Sequence, residues 1–145
     1  MIAFRISKAN YAKSLQASGS ANRWNRSGQF VLYCASSRAL ATLELLAHRN
    51  AIMPKAPYKL MHIEFDERLV TSIGKLPKQW NTIAGMHKTQ ALGAAWYQKQ
   101  GSVVLKVPSA LIKDEYNFVI NVNHPDFKKV SLVRTENFVW DGRLL

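Results

Sequence analysis

Residues 28–49 read GQFVLYCASSRALATLELLAHR, and the fold turns on how the two halves of this stretch are taken. Phe30-Val31-Leu32-Tyr33-Cys34 is an unbroken apolar run, as expected for a strand covered on both faces in the middle of a sheet. Ser36 or Ser37 then supplies a hydroxyl that can cap a helix, and the helical pattern runs on to about Arg49. With steps of about 100° from Leu40, Leu43 and Ala47 fall on one stripe, which should face the core. Glu44 borders that stripe at about +40°. A carboxylate there needs a partner, since an unpaired buried charge is costly. It serves either as a structural ion pair with a neighbouring arginine or as a functional group.

Outward from this unit, Ile2–Ile6 reads as a short strand, and Gly19–Gly28 is a polar loop carrying Arg23, Trp24 and Arg26. Tyr58–Phe65 and Val70–Ile73 read as strands. Residues 89–99 favour a helix, which Gly93 weakens by about 1 kcal/mol relative to alanine. Ser102–Val107 is a strand stopped by Pro108, and Phe118–Ile120 and Val130–Arg134 are further strands. The C-terminal NFVWDGRLL is expected to add a last short strand. Strands outnumber helices in mixed order, which predicts an α+β fold, a compact mixed sheet with flanking helices, rather than a βαβ repeat. Nothing in the pattern divides residues 1–145, so one domain is expected.

Twenty Lys and Arg stand against nine Asp and Glu, a formal charge of +11. From residue 1 to 63 there are nine basic residues and one acid, Glu44. Such a balance suits an anionic substrate, a nucleic acid or an acidic protein, and does not choose among them. No apolar run is long enough to span a bilayer, and the N-terminal MIAFRISKANYAKS does not read as a signal peptide. With Cys34 as the single cysteine, no internal disulfide can form, so a cytoplasmic protein is expected. His48, His62, His87 and His124 lack metal-ligand spacing, so no metal site is expected. There is neither a P-loop nor a G-x-G-x-x-G.

Four further residues invite a functional reading beside a plain one. Arg23 can present its planar fork to a phosphate, or be a solvated loop charge beside an inward-packed Trp24. Arg5, in mid-strand, needs an open face or an anion. Tyr33 closes the apolar strand and can be core. Ser109 follows Pro108 and can be a turn or cap serine.

Taken together and in order, these residues resemble the RES domain, named for an Arg, a Glu and a Ser, the toxin of toxin–antitoxin pairs. The matching pieces begin with Phe4-Arg5-Ile6, Arg23-Trp24-Asn25 and Val31-Leu32-Tyr33. They continue through Leu43-Glu44, Leu92-Gly93, Val107-Pro108-Ser109 and Glu115-Tyr116-Asn117 to Asn121, His124-Pro125-Asp126-Phe127 and Asp141-Gly142-Arg143-Leu144. Ala94 departs from the pattern, where an acidic residue is expected.

The resemblance implies a fold similar to ADP-ribosyltransferases and an enzyme that breaks the nicotinamide–ribose bond of NAD⁺, with water or inorganic phosphate as acceptor. NAD⁺ is then the substrate, and no cofactor is implied. Glu44, Arg23, Ser109 and Tyr33 would be catalytic. Arg5, Arg23, Tyr33, Ser109 and Asn121 would hold the dinucleotide, the two arginines at its pyrophosphate. The implied partner is an Xre-type antitoxin that blocks the cleft, with DNA contacted only through it, no membrane, and room for a homodimer in the complex. The competing readings are a basic RNA-binding or RNA-cleaving toxin, which explains the charge equally well but not Glu44, and a non-enzymatic module that binds an acidic antitoxin.

Overall fold

A computed structural model describes all 145 residues. It contains one seven-stranded sheet and two α-helices. In chain order the elements are β1 (Ile2–Lys8), β2 (Val31–Ala35), α1 (Arg38–Leu46), β3 (Tyr58–Glu64), β4 (Val70–Ser72), α2 (Met86–Lys99), β5 (Val104–Pro108), β6 (Tyr116–Asn121) and β7 (Ser131–Phe138), with short 3-10 turns between them. The strand order is β4-β5-β6-β2-β1-β3-β7. Only β4 and β5 run parallel. The apolar run at 30–34 is indeed a central strand, one residue further along than the composition suggests.

The sheet is two firmly paired halves with a narrow join. β1 pairs with β3 along its whole length, Ile2 against Glu64 through Lys8 against Tyr58, and β2 pairs with β6 throughout. Between β1 and β2 the single registered pair is Phe4 with Ala35. Both helices lie on one face, because β2 sends Val31, Tyr33 and Ala35 that way and Leu32 and Cys34 the other. α1 closes a core over the β1–β3 half with Leu40 and Ala41 against Ile6, Ala35 and Leu60. α2 covers the other half, where Trp96 joins Trp24, Val31, Leu105, Val107 and Val119. The opposite face packs Leu32, Cys34, Met61, Ile63, Phe118 and Ile120 beneath Ala12, Phe65 and Val130.

Several sequence expectations are revised. The expected serine cap is kept and is Ser37, which accepts a hydrogen bond from the Leu40 amide at 3.0 Å. The helix stops at Leu46 instead of Arg49, and a 3-10 turn follows at Arg49–Ala51. α2 begins three residues early, at Met86, because Gly85 stands at the cap where no side-chain cap marks the start. No separate C-terminal strand forms. Asn137 and Phe138 extend β7 along β3 instead, and Trp140 packs edge-on against Tyr58 and Phe138 at centroid distances of 5.9 and 5.0 Å. Pro108 is the last residue of β5 rather than its stop, a position where a missing N–H is tolerated.

The inward stripe of α1 is also rotated from the expected one. Leu43 is 40% exposed, while Leu40 and Ala41 are buried and Leu45 packs against their cluster. On the same wheel Glu44 lies between Leu40 and Ala41, inside the stripe and not at its border.

Candidate active site

Glu44 makes no ion pair. Its Oε1 accepts two hydrogen bonds, from Ser109 Oγ at 2.7 Å and from Asn117 Nδ2 at 2.7 Å. No protein donor reaches Oε2. The structural ion pair with an arginine is therefore absent, and the carboxylate is held by two neutral donors that leave its charge uncompensated by contact.

Ser109 sits just past the end of β5, and its hydroxyl is fully committed. Oγ accepts from the amides of Leu111 and Ile112, each at 3.1 Å, so its one proton points at Glu44. The Ser109 amide itself bonds the Glu115 carbonyl at 2.8 Å, closing the loop that returns the chain to β6. Asn117 lies on β6 opposite Ala35 of β2 and Val107 of β5, on the face that both helices cover. The sequence reading names Asn117 within the family pattern but not as a site residue. No sequence signal singles it out, since a polar residue near the start of a strand is ordinary.

Tyr33 shares this face, one diagonal step from Asn117. Its hydroxyl accepts from the Trp24 amide at 3.0 Å and donates to Asn25 Oδ1 at 2.5 Å. Burial raises its phenol above the usual range, against the opposing effects of the Trp24 amide and of Arg23. Tyr33 thus clamps the 22–25 loop onto the sheet. Gly93 lets α2 close over the same loop, because a Cβ there would stand 1.7 Å from the Trp24 carbonyl oxygen. Gln90 ties the loop again through the Asn22 carbonyl at 3.0 Å.

Arg23 projects from this clamped loop. Its Nη1 donates to the Trp80 and Thr82 carbonyls at 2.8 and 3.1 Å, which leaves Nε and Nη2 without protein acceptors. Partial burial lowers its pKa, opposed by the fields of Glu44 and Tyr33, which places guanidinium and carboxylate in electrostatic reach of each other. Arg23, Tyr33, Glu44 and Ser109 are therefore gathered on one side of the sheet.

Arg5 is not part of that set. It alternates with Phe4 and Ile6 and leaves the opposite face, where its guanidinium donates to the Tyr33 carbonyl at 3.0 Å beside Cys34. Burial draws the Arg5 pKa down, and burial likewise pushes the Cys34 thiol up to about 12, with Arg5 opposing. Asn121 is buried at the far end of β6, and its Oδ1 accepts from the Asn123 amide at 2.9 Å, in the turn that follows. Ala94 is buried in α2. No cluster of His, Cys, Asp and Glu could hold a metal ion.

A mixed sheet with both helices on one face, and a lone carboxylate oriented by a serine and an asparagine within the field of an arginine, defines a class that comparison with known proteins makes specific. The family model for the RES domain matches residues 2–141, and the chain belongs to that family. It is 34% identical over 129 residues to a Prs ADP-ribosylating toxin of Sphingobium, spanning 85% of this chain and 80% of that one. It is 30% identical to a Toxin Res of Photorhabdus laumondii, over 100% of this chain and 97% of the relative, and 30% identical to a Toxin Res of Yersinia enterocolitica over 99% of each. Among solved structures, the Mycobacterium tuberculosis MbcT–MbcA toxin–antitoxin complex contains a chain of similar fold, with a TM-score of 0.78 at 18% identity, covering 95% of this chain and 84% of that one. A toxin role follows from these relatives, and the family places the chain among enzymes related to ADP-ribosyltransferases. No helix is long and apolar enough to cross a membrane.

Proposed function

We propose that this toxin depletes NAD⁺ in the cytoplasm by cleaving the bond between nicotinamide and ribose. The observation that carries the reading is Glu44, a carboxylate with one oxygen pinned by Ser109 and Asn117 and the other left free. Loss of nicotinamide generates positive charge on the ribose, and a fixed anion stabilises that charge more in the transition state than in the bound substrate. The C1′–N bond breaks with its electron pair leaving on nicotinamide, which departs neutral, so no acid is needed to protonate it. Water or inorganic phosphate then forms the new C1′–O bond, and water gives up its second proton to solvent.

Arg23, with Nε and Nη2 unspent, meets the pyrophosphate. Tyr33 packs against the nicotinamide end, and Ser109 acts through Glu44. Arg5 adds positive potential from beneath the Tyr33 carbonyl. An Xre-type antitoxin would silence the enzyme by covering this cleft, and any contact with DNA would run through that partner. The name of the Sphingobium relative favours a second reading, in which the same cleavage passes the ADP-ribosyl group to a protein.

Incubation of the antitoxin-free protein with NAD⁺, with and without phosphate, should release nicotinamide without added metal, and chromatography of the second product separates the acceptors. ADP-ribose reports water, its 1″-phosphate reports phosphate, and label retained on protein reports transfer. Intact NAD⁺ in every arm, with RNA degraded in parallel, would replace this reading with the nuclease one.

A further inference from the structure

We propose that Asn117 is a positioning residue for the reaction, which selects Oε2 of Glu44 as the oxygen that faces the substrate. This rests on the NAD⁺-cleaving reading of the same site. Rotation of the Glu44 carboxyl would exchange its two oxygens unless something distinguishes them. Ser109 and Asn117 both donate to Oε1 at 2.7 Å, from the ends of two neighbouring strands, and neither reaches Oε2. One donor would allow the group to swivel about a single hydrogen bond. Two donors converging on one oxygen from β5 and β6 fix the plane as well as the point.

The orientation of the Asn117 amide is itself determined. Its Oδ1 is buried with no hydrogen-bond partner. Turning the amide over would set a carbonyl against the carboxylate and bury the NH2 unpaired, which is worse on both counts. The orphaned Oδ1 carries the desolvation cost of a buried acceptor left unpaired. A residue chosen for packing alone has no reason to carry that cost, since an apolar side chain of the same shape would avoid it. An unsatisfied buried polar atom in a native protein calls for an explanation, and a constraint from the reaction is one that fits a side chain bonded to Glu44. The sheet register explains why the arrangement is available: Asn117 stands opposite Ala35, whose small side chain leaves room above the strand for the carboxyl arriving from α1.

The test compares Asn117→Leu and Asn117→Asp with the parent by nicotinamide release and thermal melting. Asn117→Leu removes both the donor and the orphaned acceptor. It should melt within a few degrees of the parent, since the lost donor and the removed orphan offset one another, keep KM within about threefold, and lose about 10–100-fold in kcat, the scale of a catalytic group displaced by an ångström. Asn117→Asp keeps the shape but turns a carboxylate towards Glu44, where two acids at hydrogen-bond distance share a proton. Arg23 on its clamped loop is the cation whose field reaches Glu44, while Ser109 and Tyr33 enter uncharged. Asn117→Asp should therefore be weak at pH 8 and recover as pH falls, when the new acid regains a proton to donate.

A folded Asn117→Leu protein with parental kcat would overturn the proposal. So would Asn117→Asp with a pH profile that superimposes on the parent's, and this second variant decides the matter if the first fails to fold. Absence of nicotinamide release from the parent protein would instead remove the underlying NAD⁺ reading, an outcome distinct from either.

Discussion

At the scale of single residues, Glu44 is the group on which the proposed reaction rests, and its environment predicts how it will respond to change. Glu44→Gln preserves an oxygen that can still accept from Ser109 and Asn117, so the local hydrogen bonds survive while the charge goes. With no ion pair to break, the variant should melt within a few degrees of the parent. Turnover should fall at least about 100-fold, the order for removing a preorganised electrostatic group. Near-parental nicotinamide release from the folded variant would take Glu44 out of the mechanism. That Glu44 needed a partner was legible in the sequence, because a carboxylate next to an apolar helical stripe is costly. Which partner it had was not. Ser109 and Asn117 lie 65 and 73 residues away in the chain, and no local pattern reports a contact at that separation. Alternation along β1 sends Arg5 to the far face, under Tyr33, a placement that no local pattern around Phe4-Arg5-Ile6 reports.

At the scale of elements, Gly93 shows how a locally unfavourable choice positions the site. Glycine inside α2 costs about 1 kcal/mol in helix propensity, which is why it weakens the sequence-level case for that helix. In the structure it is the point where α2 touches the backbone of the loop bearing Arg23. Gly93→Ala improves propensity yet places a methyl group 1.7 Å from a carbonyl oxygen, so helix and loop must part. Overpacking of this kind costs about 1–3 kcal/mol. We expect a melting temperature lower by several degrees, together with a raised KM for NAD⁺ as Arg23 moves off its place. A variant more stable than the parent with unchanged KM would mean that loop and helix are not in contact in solution. The same logic explains why α1 could be delimited only roughly. Its N-cap, Ser37, follows from local chemistry, whereas its inward face is set by β1, β2 and β3, which it must cover.

At the scale of the whole molecule, charge sets the response to acid. Asp66 is held down to about 2, first by hydrogen bonds from the Arg68 side chain and then by its amide. Asp141 is lowered first by the Arg143 side chain, and Glu136 is lowered first by its hydrogen bond with His62 and then by Arg134. Groups with depressed folded values bind protons more weakly in the folded state than in the unfolded one. Their contribution to stability is complete above the unfolded value near 4 and lost as pH falls through the lowered folded values, which for Asp66 means towards about 2. Over the same interval the net charge, already +11 at pH 7, grows, and self-repulsion adds to the loss. These exposed, solvent-screened pairs should leave the melting temperature level from pH 7 to 5 and lower it only modestly below about 4, with self-repulsion supplying the larger part of the fall. A melting temperature that holds constant down to pH 3 would show that neither effect operates.

By itself the sequence determined the segmentation into strands and helices, the α+β class and the short catalogue of residues that resist a purely structural explanation. The first two rest on local physics, hydrophobic period and capping hydroxyls, as does the cost of the isolated Glu44 charge near an apolar stripe, whereas Arg23, Tyr33 and Ser109 join the catalogue through the resemblance to the RES domain. The tertiary structure alone decided the rest. The strand order β4-β5-β6-β2-β1-β3-β7 carries the ends of β5 and β6 beneath α1. Side-chain alternation then assigns Tyr33 and Asn117 to the helix-covered face and Arg5 to the other. A carboxylate, a serine and an asparagine become neighbours only because strands remote in sequence pair in space, and pairing of that range is settled by the packing of the whole sheet.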